Sequence, residues 1–213
     1  MHRRQVNKSR GAIGAANSPL RRKRGENGVL TCNHKEEFAI MELERTAIHE
    51  AGHAVVAYAL GYTSNEVVLT HDEVADTGYY GYVTSPHPRY GYAHNSLRDL
   101  QTTLRDASIA NCAGLAAEHV FFHVPLATDD EGAQRDFRSI IALELQGLKI
   151  RRKRGGYIGD EITWRYIERC LHKAKSLVNR HRDAIQHLAH ALVEKKKLSG
   201  AEVDQLLKDR VPL

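Results

Sequence analysis

Thr46-Ala47-Ile48-His49-Glu50-Ala51-Gly52-His53-Ala54-Val55-Val56 is the stretch from which the rest of the chain can be read. The apolar run continues to Leu60 and meets Gly61, a residue suited to the left-handed turn that ends a helix. The pattern predicts a helix from near Thr46 to Leu60, with helical periodicity already present from about Glu36. On a helix, residues four apart stand one above the other, so His49 and His53 can reach one ion from a single rigid element. Zinc suits two imidazole nitrogens, and a catalytic zinc takes three protein ligands and leaves one position to water. Glu50, next to the first histidine, is placed to take a proton from such a water and hand it to a leaving amine. The competing reading is two core histidines satisfied by carboxylates or main chain. Ala47, Ile48, Ala54, Val55 and Val56 make the setting apolar, and polar groups there cost several kcal/mol each without partners.

Working outward, Glu66–Thr70 and Tyr79–Ser85 are rich in β-branched and aromatic residues around an acidic, glycine-containing stretch, Asp72–Gly78. They predict a small antiparallel sheet. Tyr79, Tyr80, Tyr82, Tyr90 and Tyr92 read as strand packing ahead of groove lining. Pro86 and Pro88 close the sheet, and a long helix is expected from about Ser96 to Phe122. Its second half, apolar on nearly every side through Cys112, Ala113, Gly114, Ala116 and Ala117, marks a central element. A helix from Asp129 or Asp130 to about Leu148 follows, then a basic loop, Arg151–Gly156. Two amphipathic helices, Asp160–Asn179 and Asp183–Lys197, and a short last helix opened by Ser199 and Glu202 in capping-box spacing complete the chain. The fold class is mostly α (α+β), one small sheet following the histidine-bearing helix and helices closing the chain.

The 213 residues, 42% apolar, are enough for one good-sized core, and no apolar run approaches the ~20 residues that cross a bilayer. A secretory leader is not expected, since residues 1 to 28 are basic and polar. Three cysteines, Cys32, Cys112 and Cys170, without a CxxC argue against a disulfide frame and a cysteine-held zinc, and a cytoplasmic setting fits best. The net charge of +5 suggests a nucleic-acid partner until it is divided. Residues 1 to 26 hold eight Lys and Arg against Glu26, a net +7, which leaves −2 for the other 187. The basicity belongs to a tail, residues 1–35, read as disordered; the domain is 36–213, with a C-terminal helical part at about 160–209. Weak nucleic-acid contact through the tail and Arg151–Arg154 is the minor reading of that charge.

A third zinc ligand must come from elsewhere in the chain. Asp136 has Gly132, Ala133, Ser139 and Ile140 at helical spacing, so no cation of its own helix can pair with it, and it flanks the apolar positions Phe137 and Ile140. Such a carboxylate calls for a charge from another element. Asp129 and Asp130 are explained by helix capping. Glu118 raises the same question within an apolar helix. It can either orient a ligating histidine from behind or pair with a basic side chain.

These segments together resemble the peptidase domain of the FtsH family, membrane-bound AAA+ zinc proteases. Thr46–Val56 resembles that family's HEAGH helix, Cys112–Phe121 its Gly-Gly-Arg-Ala-Ala-Glu-Glu segment, and Gly132–Asp136 its Gly-Ala-x-Asn-Asp, whose last Asp is the family's third zinc ligand. His181–Leu207 resembles the closing helices, and the likeness spans about residues 40 to 208. It implies a zincin-like helical domain with one zinc ion per chain held by His49, His53 and Asp136, Glu50 as catalytic base, and Glu118 behind a ligand. Arg135 stands where the family has Asn, Leu115 where it has Arg, and Lys149–Gly159 is shorter and more basic.

No Walker A sequence, ATPase domain or transmembrane helix accompanies these motifs. The expectation is therefore a stand-alone, ATP-independent zinc metalloendopeptidase acting on unfolded proteins or short peptides. A separate ATPase or unfoldase and a homo-oligomer remain open as partners. Substrate is expected to lie along an exposed strand within Glu66–Thr70 or Tyr79–Ser85. The alternative is a non-proteolytic binding or regulatory module that keeps the fold, with or without the metal; an intact Glu50 speaks against it.

Overall fold

The computed structural model describes residues 31–71, 79–84, 87–88, 97–125, 136 and 160–212. The fold is mostly helical. In chain order it runs α1 (Thr31–Ala59), β1 (Tyr62–Thr63), β2 (Glu66–His71), β3 (Tyr79–Val83), β4 (His87–Pro88), α2 (Leu97–Asn111), α3 (Ala113–Phe122), α4 (Asp160–Arg180), α5 (Arg182–Lys195), β5 (Lys197–Ser199) and α6 (Gly200–Leu207). The basic segment 1–30, the helix expected to Leu148 apart from Asp136, and the loop at 151–156 lie outside the described residues. None of the described helices is long and apolar enough to cross a membrane.

The second half of α1 is the axis of the domain. Ala47, Ala51, Val55 and Val56 are fully buried, because α1 packs against α3 on one side and against α5 and β3 on others. The histidine-bearing segment is thus a core helix that happens to carry ionisable groups. It ends where Gly61 takes φ +88°, as expected. Its start differs from expectation: α1 begins at Thr31, inside the segment 1–35 read as tail. Residues 36–45, Glu-Glu-Phe-Ala-Ile-Met-Glu-Leu-Glu-Arg, are nearly all good helix formers, so the helix extends outward with exposed Ile40 and Met41.

The expected antiparallel pair is present, with Leu69 opposite Gly81 and Val67 opposite Val83. A third strand, β5, pairs antiparallel with the other side of β2, Val67 opposite Leu198, giving the order β3-β2-β5. That corrects the sequence reading on two counts. The chain after Asp160 is not purely helical, and β2 is central rather than an exposed strand, so only β3 among the two expected strands has an edge unpaired among the described residues. Tyr80 and Tyr82 turn outward instead of packing inward, at 46% and 43% exposure, and the side chains of Tyr79, Tyr90 and Tyr92 lie outside the described residues. Across that outer face Tyr82 donates to Glu66 (3.1 Å), which also pairs with Lys197 (2.5 Å), so one carboxylate links all three strands. A separate two-stranded pair joins β1 to β4.

The single helix expected over Ser96–Phe122 is two helices, α2 and α3, with a break at Cys112. Cys112 keeps helical angles (φ −76°, ψ −13°), donates to Ser108 and accepts from Ala116, so the break is a small step in one axis. It falls where Ala113 and Gly114 are pressed against α1.

Candidate metal centre

Two helices in close approach build the centre. A Cβ on Gly52 would lie 2.8 Å from both the Ala113 carbonyl oxygen and the Ala117 Cβ, so α1 and α3 are nearer than any larger residue allows. One turn along, the reciprocal small residue is Gly114. A Cβ there would overlap His49 Nε2 and stand 2.5 Å from His53 Nε2. The small-residue face of α3 therefore leaves the space in which both imidazoles turn their Nε2 atoms toward each other, 3.0 Å apart.

What fixes the rings is the bond made by each opposite nitrogen. His53 Nδ1–H donates to the Ala110 carbonyl oxygen on α2 (2.7 Å), and a carbonyl can only accept. His49 Nδ1–H donates to Glu118 Oε1 (2.6 Å), while Arg45 Nε–H donates to Glu118 Oε2 (2.5 Å). Burial opposes ionisation of Glu118, but His49 and Arg45 overcome it and hold the carboxyl below its usual range, so it too accepts. Both roles left open for Glu118 are thus filled at once. With both Nδ1 atoms donating, each Nε2 of a neutral imidazole presents a lone pair.

Asp136 completes the cluster. Its Oδ2 lies 3.2 Å from His49 Nε2 and 3.4 Å from His53 Nε2. It is buried and meets no fixed N–H or O–H donor, since those two nitrogens carry a proton only when the imidazoles are cationic. Three electron-pair donors thus converge with nothing neutral to donate to them. Burial works against charge on both histidines, yet Asp136 and Glu118 lift His49 to about 10, and Asp136 raises His53 as well. The two imidazoles in turn keep the Asp136 carboxyl, despite its burial, well below the usual carboxylate range. The pocket is arranged to hold positive charge.

A divalent metal fits that demand better than protons. Corners ~2.0–2.1 Å from a tetrahedral zinc are about 3.3 Å apart, close to the 3.0, 3.2 and 3.4 Å found here. A buried acceptor left unpaired costs about 1–3 kcal/mol, whereas zinc sites return on the order of 10 kcal/mol. Among the described residues this is the one group of three His, Cys, Asp or Glu with ligand atoms within 4.8 Å of one another. Cys112 and Cys170 are buried and not joined in a disulfide, and burial pushes the Cys112 thiol up, away from the thiolate a metal would need.

Glu50 points from the same turn of α1, 6% exposed, and its charge contributes to the raised proton affinity of both imidazoles. The structure therefore brings His49, Glu50, His53, Asp136 and Glu118 into one neighbourhood. Sequence reasoning missed the Ala110 carbonyl, which as a main-chain group leaves no trace in residue identity. It also missed Arg45, one turn before His49, and the roles of Gly52 and Gly114.

No protein-family model matches the chain. It is similar to the ATP-dependent zinc metalloprotease FtsH of Rhodothermus marinus, 27% identical over 201 residues, an alignment that covers 79% of this chain and 26% of that protein. The chain thus spans about a quarter of the length of the curated relative it matches.

Proposed function

We propose that this chain is a zinc metalloendopeptidase that works without ATP on unfolded or short peptides. His49, His53 and Asp136 hold the ion, Glu50 is the general base, and Glu118 and the Ala110 carbonyl orient the two imidazoles. The observation that carries this reading is the convergence of two Nε2 lone pairs and the Asp136 carboxylate on one buried point, with both Nδ1 atoms already engaged. The similarity to a zinc metalloprotease supports the same chemistry. Bound zinc supplies a Lewis acid that polarises the scissile carbonyl and acidifies water.

Glu50 then accepts a proton from the attacking water as the new C–O bond forms. It returns that proton to the amide nitrogen as the C–N bond breaks, so the base is regenerated. The edge of β3 offers an extended peptide main-chain partners and, with Tyr80 and Tyr82 flanking it, little demand on sequence. Extended pairing also explains why folded proteins would be refused. The ATP-independent and cytoplasmic parts of this reading belong to the same proposal.

Cleavage of casein and of a fluorogenic peptide by the purified chain, with and without a chelator, tests it. Glu50→Gln should bind zinc as wild type does and lose at least ~100-fold in kcat. Equal cleavage by that variant removes Glu50 from the mechanism. Zinc binding with no chelator-sensitive cleavage by wild type favours the binding-module alternative.

A further inference from the structure

Gly81 occupies an unusual place: a glycine in the middle of a five-residue strand, between two exposed tyrosines. Glycine weakens a strand interior unless another group needs the space. Strand alternation turns the Gly81 position inward, toward α1, where it is buried. A Cβ there would collide with Glu50 Cγ and lie 2.9 Å from both Cδ and Oε1. The side chain that fills the vacancy is thus the carboxylate-bearing arm of Glu50, and Glu50 in turn is anchored to a helix whose Ala47 and Ala51 are fully buried. If residue 81 gained even a methyl group, the flexible partner would yield, and that partner is Glu50.

The ladder gives Gly81 a second property. Leu69, directly opposite, donates its N–H to the Lys196 carbonyl on the β5 side, and Thr84 N–H donates to the Glu66 carbonyl. Antiparallel strands alternate hydrogen-bonded and non-hydrogen-bonded pairs, so the N–H and C=O of Gly81 face away from β2, toward the edge unpaired among the described residues. One residue therefore touches the carboxylate arm with its Cα and offers its main chain to an incoming strand.

We propose that Gly81 is the positioning residue of this site: its missing side chain seats Glu50, and its outward main chain aligns an extended peptide with that carboxylate. The inference rests on the reading of Glu50 as the base, and adds that the register between base and peptide is set by a glycine of the edge strand. A substitution there should act on turnover and leave the metal in place.

The test uses the full chain as wild type, Gly81→Ala, Glu50→Ala and the double variant. Metal-free thermal denaturation is expected to show Gly81→Ala lowering Tm by several degrees when Glu50 is present and by little when residue 50 is alanine. Zinc titration should give one ion per chain with near wild-type affinity for Gly81→Ala, while kcat for a fluorogenic peptide falls at least ~100-fold, by more than KM changes. Equal Tm losses in both backgrounds, or kcat within about 3-fold of wild type, overturn the proposal. Should Gly81→Ala not fold, recovery of folding in the double variant supports the seat, and a double variant just as unfolded overturns it. The Tm coupling is read without activity. A wild type that fails to cleave therefore removes the hydrolase reading, while the Gly81–Glu50 contact is still judged by the coupling.

Discussion

Two charged clusters in this molecule obey opposite rules. At the β5–α6 corner, Glu202 receives Lys195 Nζ (2.6 Å), the Ser199 N–H (2.9 Å) and the Ser199 hydroxyl (2.8 Å), and its own N–H reaches Ser199 Oγ (3.4 Å). Every acceptor meets a donor in the open, and Lys195 foremost brings the Glu202 carboxyl down to about 2. At the α1–α3 contact, three acceptors face one another with no neutral donor, beside the fully buried Ala51, Ala113 and Ala117. The first cluster is a helix cap, complete as folded. The second is complete only with a cation, and proteins accept such frustration in the core where a ligand resolves it.

The sharpest way to break this contrast is pH. In the metal-free protein His49 is raised from 6.5 to about 10, so its stabilising contribution is full below about 6.5 and disappears as pH rises toward 10. Asp136 is lowered, so its contribution is present above 3.8 and disappears as pH falls through its depressed range. Metal-free protein should therefore be most stable between these limits and lose Tm steadily on the alkaline side. Zinc-loaded protein should not show that alkaline loss, because the metal replaces the proton on Nε2. Thermal denaturation from pH 4 to 10, with chelator and with zinc, measures both curves. An alkaline limb unaffected by zinc would contradict the assignment.

Smaller in effect is the partner behind His49. Glu118→Ala should weaken zinc binding by about 10- to 100-fold, since the ring loses the carboxylate that orients it. Glu202→Ala, an equally well paired acid at the other cluster, should leave zinc affinity as in wild type. Competition titration against a chelator compares the two.

The smallest effect belongs to the cap itself. Ser199→Ala should cost about 1 kcal/mol in chemical denaturation with no change in zinc affinity. A coupled loss of zinc would mean that the corner and the centre are one cooperative element rather than two.

Legibility in the sequence follows the range of the interactions. The paired imidazoles lie four residues apart on one helix, and the cap lies three apart, so both could be read directly. β2 and β3 announce themselves through β-branched and aromatic residues. β5 does not, because Lys197-Leu198-Ser199 follows Lys195 and Lys196 and holds one apolar residue, fully buried Leu198; the strand exists through its pairing with β2. The break at Cys112 is invisible for a similar reason, being set by the approach of α3 to α1. Asp136 could be singled out because a carboxylate without a local counterion beside an apolar face needs a distant one. Gly81 did carry a signal, a glycine interrupting a strand pattern, which marks a close approach without naming the group that approaches.

Titration of metal-free chain with zinc, wild type beside His53→Ala, tests the centre most directly. The account predicts one tightly bound ion per wild-type chain and an affinity lower by about three orders of magnitude, roughly 4 kcal/mol, when one imidazole is missing. No stoichiometric binding by wild type, or equal binding by His53→Ala, would contradict it.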